Sequence, residues 1–137
     1  KQVSKRAFEK MKRQGKLCFI TEAFGNSYAC LKFYPTTNAD IALVVTRSNI
    51  PELKSIGGVV IKIIPDDVQK AIERIVSQGR ENKEERVHAL LLELSSEKDT
   101  LVDAVFKNCY DERSLRDFLV LVQELKQNDV WFTPRSR

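Results

Sequence analysis

The chain has 137 residues, 42% of them hydrophobic and 31% charged, with a net charge of +4. That length is one ordinary domain, able to bury about two-thirds of its unfolded surface without a disulfide or metal staple. No apolar run approaches the roughly 20 residues of a membrane span, so no spanning segment is expected, and no N-terminal hydrophobic block resembles a signal peptide.

The charge is unevenly placed. Residues 1–16 hold seven bases and one acid, a net +6, whereas the remaining 121 residues hold 16 bases and 18 acids, a net −2. Val3, Ala7, Phe8 and Met11 fall at helical spacing among those bases and Gly15 supplies a stop, which predicts a basic amphipathic helix over 1–15. Its bland role is to lay an apolar face on the body. Its functional role is contact with an anionic surface, RNA, DNA or lipid, through Lys5, Arg6, Lys10, Lys12 and Arg13.

Strand patterns follow over 17–21 and 28–34, separated by the turn residues Ala23, Phe24, Gly25 and Asn26. After a break at 35–40, residues 41–46 and 59–64 are rich in Val and Ile and predict two central strands. Residues 47–58 read as a connector punctuated by Asn49, Pro51 and Gly57-Gly58. A helix is then predicted from Pro65-Asp66-Asp67 to Gly79, with Val68, Ala71, Ile72, Ile75 and Val76 on one face.

Residues 86–94 and 101–110 fit two periods. As strands they would form a hairpin; as helices, Val87, Leu90, Leu91 and Leu94 would share a face, with Asn82 and Glu85 as a capping box. The last helix is unambiguous, with Leu115, Phe118, Leu119, Val122 and Leu125 repeating behind Asp111. The expected core is Phe19, Leu31, Val44, Ile61, Ile72, Leu91, Phe106, Phe118 and Val122.

Taken with the hairpin reading of 86–110, this order of strands closed by a C-terminal helix resembles the pleckstrin-homology and phosphotyrosine-binding superfold. The expected fold is then α+β: a single domain with a bent antiparallel sheet over 16–132, a closing helix, an N-terminal helix, an inserted helix, and a polar tail at 133–137. The alternative is a four-stranded sheet followed by a helical bundle. The resemblance implies a binding module and carries no active residues with it. Phosphoinositide-binding members place bases in the first strand-to-strand loop, whereas here that loop, 22–26, holds one acid and no base.

Motifs for chemistry are sparse. His88 is the one histidine and lies in an apolar run without positioned partners. Cys18, Cys30 and Cys109 form no C-x-x-C pair and read as reduced thiols in apolar runs, which points to an intracellular setting, nuclear or cytoplasmic. Phosphate-loop, dinucleotide and nucleophile-elbow motifs are absent. The pairs Asp66-Asp67, Glu84-Glu85 and Asp111-Glu112 stand where helices or strands start, so capping accounts for them. No catalytic, metal or cofactor residue is assigned. Trp131 and Phe132 are candidate partner anchors, because exposed aromatics at a domain end need something to pack on. The expected function is a non-catalytic protein-protein interaction module within a larger protein, with nucleic-acid or anionic-lipid binding by the basic arm as the alternative.

Overall fold

A computed structural model describes residues 2–32, 41–79, 81–95 and 101–127. These form an α+β chain with five α-helices and two separate two-stranded sheets among the described residues. They group into two compact units, one through Leu53 and one from Lys54 onward.

The first unit begins with helix α1, Lys5–Arg13. Ser4 caps it by accepting the Ala7 N–H at 3.3 Å. Gly15, at φ 64°, ends it: the Gly15 N–H reaches the Lys12 carbonyl and the Lys16 N–H reaches that of Met11, the paired bonds of a Schellman stop. Strands β1, Leu17–Ala23, and β2, Asn26–Leu31, then form an antiparallel hairpin. Phe24 and Gly25 both have positive φ, as a two-residue turn of matching twist requires. Between Cys18 and Thr21 the register shifts, so Phe19 and Ile20 oppose Ala29 alone in a bulge, with Phe19 at φ 50°.

A 3-10 turn, Arg47–Asn49, lies against β1 and leads into helix α2, Ile50–Ser55. Pro51 suits the first turn of a helix, where its missing N–H costs nothing. Leu17, Phe19, Asn49 and Ile50 are the buried residues among those described in this unit.

The second unit is built on strands β3, Ile61–Pro65, and β4, Ala104–Asn108, which pair in parallel with Ile61 beside Ala104 and Ile63 beside Phe106. Two helices fill the crossover, α3, Val68–Ser77, and α4, Lys83–Ser95, and a third, α5, Glu112–Gln127, follows β4. Asp67 caps α3 through the Lys70 N–H at 3.0 Å, and Asp111 accepts the Ser114 N–H at 2.7 Å ahead of α5. The Phe106 and Phe118 rings meet edge to face at 5.2 Å, seating α5 on the face that carries Ile61, Ile63 and Phe106. On the opposite face Lys62 donates to the Glu93 carbonyl of α4 at 2.9 Å. The strand entrances are tied by Asp103, whose carboxylate takes the Val60 N–H at 2.6 Å and the Lys54 ammonium at 2.7 Å.

Several expectations are corrected here. Residues 86–94 are helical, inside α4, and no 86–110 hairpin forms: the Leu, Ala and Glu content favours helix, and burial does not override it. β4 instead joins β3 in parallel, so among the described residues two small sheets stand in place of the bent antiparallel sheet of the pleckstrin-homology-like reading and of the single four-stranded sheet of the alternative. Residues 41–46 have no strand partner among the described residues, and Val44 is fully exposed, because strand propensity without a neighbour makes no ladder. The connector 47–58 is largely helical. Of the expected core, Phe19 is buried, Ile61, Ile72, Phe106, Phe118 and Val122 are half-buried, and Leu31, Val44 and Leu91 are exposed.

Candidate functional site

A two-stranded parallel sheet has two margins, and the ladder dictates which backbone groups point to each. Asp66 N–H donates to the Asn108 carbonyl at 3.1 Å and Ala104 N–H to that of Val60 at 3.3 Å. Alternation along a parallel ladder then turns Ile61, Ile63 and Pro65 of β3, and Val105 and Lys107 of β4, away from the partner strand. The two outer edges differ chemically. Pro65 has no N–H to offer, which blunts the β3 edge. On β4, Val105 and Lys107 present N–H and C=O groups that no described residue takes up. Their side chains share one face, and Val105 is 57% exposed. Among the described residues Lys107 makes no ion pair.

The hairpin of the first unit shows what a closed edge looks like. In the bulge, the Phe19 N–H is taken by the Glu52 carboxylate at 3.2 Å, and the Ile20 carbonyl accepts from the Asn49 side-chain amide at 3.1 Å. Thr46 Oγ1 lies 2.9 Å from Asn49 Oδ1, 3.0 Å from Thr21 Oγ1 and 2.9 Å from Ser48 Oγ. A carbonyl oxygen only accepts, so Thr46 spends its proton on Asn49 and receives those of Thr21 and Ser48. The buried Asn49 side chain is thereby satisfied at both ends.

The carboxyl ends of β3 and β4 are where ligands of open parallel sheets ordinarily bind. Here the donors are already used. Cys109 N–H goes to Ser114 Oγ at 2.9 Å, Tyr110 N–H to Asn108 Oδ1 at 2.8 Å, and Ser114 N–H to Asp111. The Ser114 N–H holds the Asp111 carboxyl below its ordinary value. Arg74 covers this turn with its guanidinium 4.2 Å from the Tyr110 ring centre.

His88 lies on α4 and lines a shallow, mostly apolar groove of about 450 Å³ with Ile72, Val76, Val87 and Leu91, rimmed by Lys83 and Glu84. No acid or nucleophile beside it forms a hydrogen-bonded relay among the described residues. Among the described residues no three His, Cys, Asp or Glu side chains come together as a metal site, and no helix is long and apolar enough to cross a membrane.

The five arm residues, Lys5, Arg6, Lys10, Lys12 and Arg13, are all on α1 and all exposed. None makes an ion pair among the described residues. The apolar stripe they flank is only partly covered: Ala7, Phe8 and Met11 are half-buried and Val3 is 40% exposed. Trp131 and Phe132 lie outside the described residues. The β4 edge escaped the sequence reading, since an edge exists only once the pairing of strands 43 residues apart is known. Searches against family models, curated proteins and solved structures find no match to this chain.

Proposed function

We propose that this chain is a non-catalytic protein-protein interaction module that takes an extended peptide segment of its partner onto the outer edge of β4. The outward backbone of Val105 and Lys107, unclaimed among the described residues, carries this reading, because strand addition draws its affinity from such main-chain groups and its selectivity from alternate side chains. The exposed Val105 side chain asks for an apolar neighbour, and Lys107, without an ion pair among the described residues, asks for an acidic one. The partner segment is therefore apolar and acidic at alternate positions. A displayed library of random peptides selects it, and the selected peptide is titrated into isotope-labelled protein. The reading predicts amide shifts centred on β4 and a loss of affinity of at least about tenfold, or roughly 1.4 kcal/mol, in Val105→Pro. Leu91→Asp, in the α3–α4 groove, leaves affinity unchanged. Shifts centred on α3 and α4, or full affinity in Val105→Pro, overturn it.

A second reading rests on a separate observation, the five exposed bases of α1, none of which makes an ion pair among the described residues. In it the arm binds a polyanion, either nucleic acid or an anionic lipid surface. A single-stranded RNA oligonucleotide and phosphatidylserine vesicles separate those two sources. Steep weakening with salt is expected for the true ligand. Reversing the charge at Lys5, Arg6, Lys10, Lys12 and Arg13 should abolish binding, and undiminished affinity contradicts the reading.

A further inference from the structure

The hairpin register sets Cys18 directly opposite Cys30. Directly opposed residues of an antiparallel pair have Cα atoms about 4.5–5.5 Å apart with side chains on one face, inside the roughly 4.4–6.8 Å that a disulfide spans. The register is pinned beside the pair by the Lys32 N–H to the Lys16 carbonyl at 2.8 Å. Cys18 Sγ already leans across the hairpin, 3.7 Å from the carbonyl oxygens of both Cys30 and Leu31. Both cysteines are half-buried free thiols, reachable by a small disulfide. On the tip side of the pair the bulge at Phe19 and Ile20 breaks the regular ladder, so the strand can adjust its twist as a bond closes.

We propose that Cys18 and Cys30 are a thiol modification site, closing to a reversible cross-strand disulfide by exchange with a low-molecular-weight disulfide such as oxidised glutathione. One cysteine, as thiolate, attacks a glutathione sulfur and forms a mixed disulfide, releasing one glutathione thiolate. The second cysteine loses its proton and attacks the protein sulfur of that mixed disulfide. The Cys18–Cys30 bond forms and the second glutathione leaves. The protein gives up two electrons and two protons, and oxidised glutathione is reduced to two molecules of the thiol. Burial, with Cys30 and Glu52 adding to it, pushes the Cys18 thiol above its ordinary value, so closure quickens as the pH rises.

The test uses the full chain carrying Cys109→Ser, which leaves these two thiols alone. After equilibration in glutathione redox buffer, remaining thiols are alkylated and the mass and peptide map are read. The expected product is monomeric, lighter by two hydrogens, unalkylated, and mapped to a link between the two cysteines. Its equilibrium yield against the mixed disulfides should fall by at least about tenfold in strong denaturant, where the fold no longer holds the sulfurs together. Mixed disulfides on both cysteines, disulfide-linked dimers, or a yield unchanged by denaturant would each overturn the proposal.

Discussion

The β1 and β4 strands both border two-stranded sheets, yet the chain treats their outer edges in opposite ways. Along β1, Glu52 and Asn49 reach over from α2 and the preceding turn to occupy the backbone groups of Phe19 and Ile20. Along β4 no side chain does so among the described residues, and the strand is held from its faces instead, with Phe118 against Phe106. An edge sealed by side chains is protected from further pairing; an edge left bare is available for it. On the proposed reading, the sealed β1 edge serves the fold and the bare β4 edge serves recognition.

The two regions should therefore fail under different substitutions. The largest effect is expected for Phe118→Ala: removing the ring that meets Phe106 should cost about 3 kcal/mol, the low end for a phenylalanine because it is half-buried. Urea unfolding measures this, and a loss under roughly 1 kcal/mol would mean that α5 does not hold the sheet. Asn49→Ala should follow at about 2 kcal/mol, since it strands the Ile20 carbonyl and the Thr46 hydroxyl together. Val105→Pro should leave stability within about 1 kcal/mol, because the N–H it deletes bonds to nothing among the described residues. A large loss there would show that the edge is not bare.

How much of this could be read in advance varied with sequence distance. Helix ends were legible because their signals are local: Gly15 and Gly79 both take positive φ just past a helix, and Asp67 and Asp111 cap the helices they precede. Helix α2 was missed although Asn49, Ile50 and Pro51 are a fair start signal, because the segment is short and rich in turn formers. The strand-like 41–46 pairs with nothing described, which no local pattern could disclose. The parallel pairing of β3 and β4 spans the whole two-helix crossover. The open edge and the juxtaposition of Cys18 with Cys30 depend on register, so both were invisible until pairing was known. The bases of α1 were identified as a group, and their exposure is as the amphipathic pattern implied.

The smallest effect is one of pH. Asp111 titrates below its ordinary value because its charged form holds the Ser114 N–H, so its contribution is full above the usual carboxylate range and fades as the pH falls through the lowered value. Stability should accordingly decline below about pH 4, and Asp111→Asn, whose amide oxygen still accepts, should flatten part of that decline. An acid limb identical in the variant would remove Asp111 from the account of how α5 starts.

Amide hydrogen exchange, followed residue by residue in the free protein, tests the contrast between the two edges most directly. The Phe19 amide, held by Glu52, and the Phe106 amide, facing β3, should be protected, while those of Val105 and Lys107 exchange at close to the rate of an unstructured peptide. Protection of Val105 and Lys107 equal to that of Phe106 would show the β4 edge to be already occupied, and would contradict its assignment as the docking surface.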